Sequence, residues 1–484
     1  MDTKSTAPGS ATPALVMKFG GTSVGSAEAF SQVVAIVRDT RRSWPQLVVV
    51  TSALAGITDL LLTSAHRAER GEVDHLDAVQ SQILDRHARI AQEVVDDPER
   101  REGVMTEITR LAADFNNLCR AIAVLGEATP RALDAVASLG ERMSTRLLAA
   151  AISDDGTPAQ PVEATELIIT DDCYQNAHPD LEASQIQTRR VLEPILRRGV
   201  VPVVTGFLAA SAQGVITTLG RGGSDYSAGI LGAVLPADEV WIWSDVDGVM
   251  SADPRSVPEA RTIPVLTYRE IAELAYYGAK VLHPKTIRPV IEAGIGLRIC
   301  NTFNPSNPGT HLVSDSSNGS NGVIKAVTAI LGQRLITIEG RGMLGVPGVA
   351  ARAFGAVAST GTSVPLITQA SSEQSICFAV PTAAAAGVIS ALEQAFSFEL
   401  TRRDIDRIWA SQEVVIVTLV GAGVLHTPGI AGKIFSALGE KLVNVIAIAQ
   451  GSSEVSISLV VTAGDADLAV RTLHELIVPS QKKP

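Results

Sequence analysis

A lysine closing an apolar run, followed at once by two glycines and two hydroxyls, is the arrangement in this sequence best suited to chemistry: Val16-Met17-Lys18-Phe19-Gly20-Gly21-Thr22-Ser23-Val24. The apolar run reads as a buried strand, and glycines directly after it let backbone amides approach a bulky anion with no Cβ in the way. A compact ammonium and oriented amide dipoles together suit a phosphoryl group. The lysine precedes the glycines, so this is not the Walker pattern. Standing alone, the segment would read as a strand turn with a surface lysine.

A second glycine-rich turn, Thr217-Thr218-Leu219-Gly220-Arg221-Gly222-Gly223-Ser224-Asp225-Tyr226-Ser227-Ala228, carries one arginine and one aspartate ahead of an apolar, helix-like stretch. Arginine's planar fork can grip a carboxylate, and serine or aspartate ahead of a helix can cap its exposed amides. A third segment, Trp241-Ile242-Trp243-Ser244-Asp245-Val246-Asp247-Gly248-Val249-Met250, ends a strand-like run in a polar turn and leads to Asp253-Pro254-Arg255. The carboxyl end of a parallel strand is where open α/β sheets bind ligands. Taken singly, these two read as a capped loop and a turn.

Taken in this order, and followed by Tyr276-Tyr277-Gly278-Ala279-Lys280-Val281-Leu282-His283-Pro284, the motifs resemble those of the aspartate kinases, in the amino-acid kinase superfamily, and the resemblance runs from Val16 to about Val478. It implies transfer of the γ-phosphoryl of ATP, accompanied by Mg2+, to the side-chain carboxylate of L-aspartate. The product would be 4-phospho-L-aspartate, at the head of lysine, threonine and methionine biosynthesis. A carboxylate is already ionised at neutral pH, so no strong base is needed. The difficulty is repulsion between two anions, which alignment and charge stabilisation address.

By that resemblance Lys18 contacts the transferring phosphoryl and Asp225 orients it, as the catalytic pair, with Phe19, Gly20, Gly21 and Ser23 completing the cradle. Arg221, with Gly222, Gly223 and Ser224, clamps a carboxylate of aspartate, Glu141 meets its α-ammonium, and Ser52 and Thr58 supply hydroxyls. Nucleotide contacts fall on Ser244, Asp245, the backbone around Met250, Arg255 and Lys280. Ser244 stands where the family usually has threonine and keeps the hydroxyl, whereas Met250 replaces a frequent tyrosine and loses a phenol. No metal ligand is assigned, since magnesium between ATP phosphates and water needs few protein carboxylates. Without the resemblance, Glu141 would read as a helix-surface charge and Thr58 as a cap. His283 reads as a structural histidine, not a base.

The elements that must position these residues follow from composition and pattern. At 484 residues, with few aromatics and many Ala, Val, Leu and Ile, two or three domains built as α/β layers are expected. The expected fold is α/β: an amino-acid kinase-like three-layer sandwich with a mostly parallel central sheet, plus two ferredoxin-like ACT domains. Residues 1–13 read as a disordered tail, 14–305 as the catalytic domain, 306–322, with its SDSSNGSNG run, as a linker, and 323–480 as a regulatory region.

From Gly340 to Val380 the chain nearly repeats itself from Gly421 to Val461 at a constant offset of 81 residues. Pro347-Gly348 returns as Pro428-Gly429, Phe354 as Phe435, and Gln369 as Gln450. The duplicated unit resembles a pair of ACT domains, near 335–400 and 413–480, with Val323–Ile330 belonging to the second copy's sheet, so that one is inserted in the other. Gln369 and Gln450, at matching corners, resemble the effector-binding glutamines of threonine-responsive relatives; threonine is favoured as feedback effector and lysine stays open. Gly340-Arg341-Gly342-Met343-Leu344-Gly345 matches GxGxxG, but Gln369 stands where a dinucleotide site wants an acid. The homoserine dehydrogenase fused to some relatives would need hundreds of further residues and is not expected.

A net charge of −11 with dispersed basic residues gives nucleic acid and anionic membranes no electrostatic support. No apolar run reaches spanning length and no secretory leader is evident, so a cytoplasmic protein is expected. Cys119, Cys173, Cys300 and Cys377 lie far apart and read as buried free thiols. ACT units commonly pair, so a homodimer or homotetramer is expected. Two other readings stand beside this one: a glutamate or acetylglutamate kinase, and a catalytically inactive amino-acid sensor.

Overall fold

The computed structural model describes residues 13–277, 282, 284–314, 323–343, 346–369, 374–424, 427–451 and 455–477. Most of the expected tail, part of the expected linker, Lys280, His283 and the serines of both polar corners lie outside these residues. The described chain forms two compact units. One holds Met1–Val249, Pro264–Tyr268 and Val281–Ser316, and the other holds Met250–Ile263, Arg269–Lys280 and Ser317–Pro484.

The first unit begins with β1 (Ala14–Phe19), α1 (Ala27–Arg41), β2 (Gln46–Thr51) and four helices, α2 (Ile57–Glu69), α3 (Leu76–Val94), α4 (Pro98–Leu125) and α5 (Pro130–Asp154). Then come β3 (Ala159–Val162), β4 (Ile169–Thr170), β5 (Pro179–Asp180), α6 (Leu181–Arg197), β6 (Val201–Thr205), β7 (Leu208–Ser211), β8 (Ile216–Thr218), α7 (Gly223–Val234) and β9 (Glu239–Ser244). After β10 (Val265–Thr267), α8 (Tyr268–Tyr276) leads into the second unit, and α9 (Pro284–Ala293), β11 (Gly296–Asn301) and β12 (Thr310–Val313) complete the first. The large sheet runs β10-β12-β11-β9-β1-β2-β6-β3 and is parallel except between β11 and β12. Its last strand in the chain, β12, falls within the stretch read as linker.

Strands covered on both faces become continuous apolar runs, which is why β1, β2 and β6 are buried almost throughout. Leu15, Met17 and Phe19 join a core with α1 to α5, while α6 and α7 pack against β6, β1 and β9. The long helix α5 starts where Thr129 caps the Ala132 amide and Pro130 occupies the first turn, a pairing legible in the sequence. A smaller sheet, β5-β4-β7-β8, belongs to the same unit.

The second unit is built on β13 (Ala326–Glu339), α10 (Val349–Ser359), β14 (Leu366–Gln369), β15 (Ser375–Pro381), α11 (Ala385–Ala395), α12 (Ser397–Arg402), β16 (Arg407–Val420), α13 (Ile430–Glu440), β17 (Ala447–Ala449), β18 (Ser456–Thr462) and α14 (Ala466–His474). One antiparallel sheet, ordered β14-β15-β13-β16-β18-β17, serves both repeats. The first part of β13, Ala326–Ile330, pairs with Ile416–Val420, and its later part pairs with β15.

Residues 250–263 and 269–277 pack into this second unit although they precede it in sequence. Ala252 and Val257 enter the second repeat's core, and the Ser251 hydroxyl lies 2.9 Å from a His474 ring nitrogen. Glu270 of α8 is fully buried; its carboxylate accepts from the Lys325 ammonium at 2.8 Å and from the Ala422 amide at 2.7 Å. No helix among the described residues is long and apolar enough to cross a membrane. Cys119 and Cys300 are buried, and burial pushes both thiols up to about 12. Cys173 corrects the expectation of buried thiols: it sits in the surface turn before β5 and is exposed.

Candidate active site

β9, β1, β2 and β6 are parallel neighbours, so their carboxyl ends Ser244, Phe19, Thr51 and Thr205 share one edge of the sheet. A cavity of about 540 Å³ opens in the first unit, lined by Lys18, Gly21, Ser52–Gly56, Thr58, Glu141 and Gly220–Asp225 among others. Four sequence segments that lie far apart in the chain therefore meet here.

Lys18 is 8% exposed, and its Nζ lies 2.5 Å from Oδ1 of Asp225 in the first turn of α7. The Gly20 amide donates to the Trp243 carbonyl at 3.2 Å and the Ser52 amide to Phe19 at 3.1 Å, so the turn after β1 is held by both neighbouring strands. Phe19 is fully buried and stacks on Trp243 with ring centroids 5.8 Å apart. Ser23 is buried and shares a hydrogen bond with the Thr302 hydroxyl at 2.7 Å; it is not part of the cavity wall.

Glu141 projects from α5, 4% exposed, and accepts from the Ser224 hydroxyl at 2.8 Å. Burial pushes its carboxyl up to about 8, against the opposing pull of the Ser224 hydroxyl, the Lys18 charge and the Ala53 amide. Its second oxygen has no hydrogen-bond partner among the described residues, which is an arrangement suited to a ligand's ammonium. The Ser144 hydroxyl donates to the Ser52 carbonyl at 2.7 Å and so fixes the end of β2 to the same helix. Arg221 is exposed on the cavity rim with no ion-pair partner among the described residues, between Gly220 and Gly222, whose φ angles of 76° and 72° are left-handed.

The residues read as nucleotide contacts do not gather in this cavity. Ser244 donates to its neighbour Asp245 at 3.1 Å at the end of β9. Asp247 accepts from the side-chain amides of Asn301 and Asn304 at 2.8 and 3.0 Å. Met250 and Arg255 belong to the second unit, where Met250 bridges Thr262 and the exposed Arg255 forks onto Asp253. Gln369, also of the second unit, lines a separate cavity of about 360 Å³ with Val346–Ala350 and Ile376. Gln450, just beyond β17, is exposed.

Among the wall residues missed from sequence are Asp134, Gln175 and Phe207. Asp134 stands seven residues before Glu141 on the same helical face, a spacing that could have found it. Gln175 and Phe207 owe their places to left-handed backbone, φ 67° and 61°, which no side-chain type announces.

The sequence profile of the amino acid kinase family matches residues 13–301, and that of the ACT domain matches 336–396 and 417–476. Bifunctional aspartokinase/homoserine dehydrogenase 1, chloroplastic, of Zea mays is 36% identical over 95% of this chain and 50% of its own length. The chain thus spans about half the length of the bifunctional curated relatives it matches. Aspartokinase 3, chloroplastic, of Arabidopsis thaliana is 35% identical over 95% of this chain and 80% of its own length. The crystal structure of E. coli aspartokinase III with aspartate and ADP is similar at a TM-score of 0.74 and 30% identity, covering 96% of this chain and 99% of that one. The same enzyme with lysine and aspartate gives 0.77 and 31%, covering 96% and 100%.

Proposed function

The chain belongs to the amino acid kinase family, among the aspartokinases, and on that footing we propose that it transfers the γ-phosphoryl of ATP to the side-chain carboxylate of L-aspartate. One observation carries the reading. A single cavity holds a buried lysine paired to Asp225, a buried carboxyl at Glu141 with one unpaired oxygen, and an arginine with no ion-pair partner among the described residues. These match three of the charged groups of the reacting pair: the phosphoryl, the α-ammonium and a carboxylate.

In the proposed reaction a side-chain carboxylate oxygen of aspartate attacks the γ-phosphorus, the bond from that phosphorus to the bridging oxygen breaks, and ADP leaves. No proton has to move. Lys18 offsets charge on the transferring group, and Asp225 holds the Lys18 Nζ in place. Glu141 and Arg221 orient aspartate at its ammonium and a carboxylate, with Ser52 and Thr58 alongside. Ser244, Asp245, Met250, Arg255 and Lys280 are proposed for the nucleotide side.

Magnesium would arrive with ATP and offset phosphate charge. Among the described residues no group of three or more His, Cys, Asp or Glu is arranged to hold a metal, and Asp225 is engaged by Lys18. A magnesium ion carried by ATP phosphates and water asks little of protein carboxylates.

The second unit is proposed to bind an end-product amino acid, threonine ahead of lysine, at Gln369 and Gln450. The cavity beside Gln369 and the N-terminus of α10 supports this, since free amides there suit a carboxylate and the side-chain amide can both donate and accept. Pairing of copies through this unit, as a homodimer or homotetramer in the cytoplasm, completes the proposal.

The test is trapping of acyl phosphate with hydroxylamine in the presence of magnesium ATP and aspartate, glutamate or acetylglutamate. Aspartyl hydroxamate with aspartate alone is the expected result. Folded protein that gives product only with glutamate, or with none of the three, overturns the proposal.

A further inference from the structure

Asp134 lies near the start of α5, 1% exposed, on the wall of the cavity. Three donors converge on its carboxylate. The Thr218 amide and the Gln175 amide reach Oδ2 at 3.1 and 3.0 Å, and the Thr218 hydroxyl reaches Oδ1 at 2.7 Å. Two helical turns further along, Glu141 takes the Ser224 hydroxyl. One rigid helix therefore pins both ends of the turn from Thr218 to Ser224.

Between the pins the chain passes through the left-handed Gly220 and Gly222 and presents Arg221 on the rim. Glycines allow such a path but do not hold it, because they have the widest choice of alternatives. The direction in which Arg221 leaves the turn is then set by the anchored residues on either side; on its N-terminal side the backbone of Thr218 and Leu219 is bonded to Ala177 and Phe207, and Asp134 is the side chain that fixes Thr218.

We propose that Asp134 is a positioning residue for amino-acid recognition: by fixing Thr218 it sets where Arg221 meets a substrate carboxylate. This rests on the aspartokinase reading of the cavity. Phosphoryl transfer is left to Lys18 and Asp225, which are secured by their own ion pair. Asp134 thereby acts on uniform binding of the amino acid, whose loss raises KM and spares kcat.

The experiment compares Asp134→Ala, Asp134→Asn and Arg221→Ala, with the Asp134→Ala/Arg221→Ala double variant, in the full chain. Asp134→Ala should raise KM for aspartate about tenfold, with kcat and KM for ATP within about threefold of the parent. Asp134→Asn should stay within about threefold on all three, since its oxygen can accept both amides while the Thr218 hydroxyl turns to accept from its nitrogen. In the Arg221→Ala background, Asp134→Ala should add nothing to KM.

A lowered melting temperature and lowered kcat with KM for aspartate unchanged would show a purely structural role and overturn the inference, as would full additivity with Arg221→Ala. Should Asp134→Ala fail to fold, Thr218→Val removes only the hydroxyl bond and should raise the same KM about threefold; an unchanged value overturns the inference. Failure of the parent chain to phosphorylate aspartate strikes the function itself, whereas an unchanged KM in an active parent's variant strikes only the role of Asp134.

Discussion

The Nζ of Lys18, one residue from the end of β1, lies 2.5 Å from Oδ1 of Asp225 in the first turn of α7. The pair joins a central strand to the helix that follows the arginine turn, so cation and anion hold each other in a largely water-excluded wall. Removing either charge leaves the other without its partner.

Lys18→Ala and Asp225→Ala should each lower kcat by about 100- to 1000-fold, the range for loss of one preorganised charge-stabilising donor. Because the two act as a unit, the double variant should be little slower than the worse single one. Hydroxamate formation at saturating aspartate and ATP measures this, and an additive double variant would separate the two roles.

Glu141 sets a pH dependence. With its carboxyl held near 8 by burial, it is mostly protonated at pH 7 in the free protein, whereas an arriving α-ammonium needs it ionised. Binding of aspartate must then expel a proton, so KM for aspartate should rise as pH falls below about 8, approaching tenfold per pH unit. Glu141→Gln should raise KM at pH 8 and flatten the profile. A parent KM that stays constant from pH 6 to 8 would refute the assignment.

Gln369→Ala should raise the threonine concentration for half-inhibition about tenfold while leaving uninhibited activity within twofold, and Gln450→Ala tests the matching corner. Titrations with threonine, lysine and both together provide the measurement. Inhibition unchanged in both variants removes the case for these glutamines.

His87 is fully buried in α3, its Nδ1 2.7 Å from the Ile83 carbonyl and its Nε2 without a partner among the described residues. Burial lowers its pKa from 6.5 to about 4, so the unfolded chain binds the proton more readily and stability falls as pH drops from about 6.5 towards 4. The loss should approach ~3 kcal/mol at the acid end. Urea unfolding at pH 7 and 4.5 should show this slope, and His87→Phe should remove it.

The Glu270 and Lys325 pair is buried on both sides. Lys325→Met removes the ammonium 2.8 Å from a buried carboxylate and should cost about 3–5 kcal/mol of stability, while Glu270→Gln/Lys325→Met should recover most of that. Chemical denaturation of the three proteins decides it; a double variant as unstable as the single one would count against the pair as the source.

Much of this architecture is legible in the sequence. The offset of 81 residues foretold matching elements: α10 (Val349–Ser359) returns as α13 (Ile430–Glu440), and β15 (Ser375–Pro381) as β18 (Ser456–Thr462). Lys18, Glu141, Arg221 and Asp225 were legible through the family resemblance that their motifs carry when taken in order, since each alone has an ordinary structural reading, and all four line one cavity. Illegible were features that depend on tertiary partners. The Gly340 and Gly342 of the dinucleotide-like motif serve close packing, since a Cβ on Gly342 would lie 2.6 Å from the Asp404 Cα, and one on its repeat counterpart Gly423 would lie 2.7 Å from the Val323 Cα. Composition could not reveal that residues 250–263 and 269–277 pack with the later sheet, because such long-range pairing leaves no local signature.

β13 and β16, each 14 residues long, run through both halves of the antiparallel sheet and pair with each other along most of their length. Excising either repeat would cut a strand the survivor needs and bare its ladder to solvent, inviting self-association. The duplication is therefore irreversible in practice: evolution can retune either half, but can only inherit, shuffle or discard the two together.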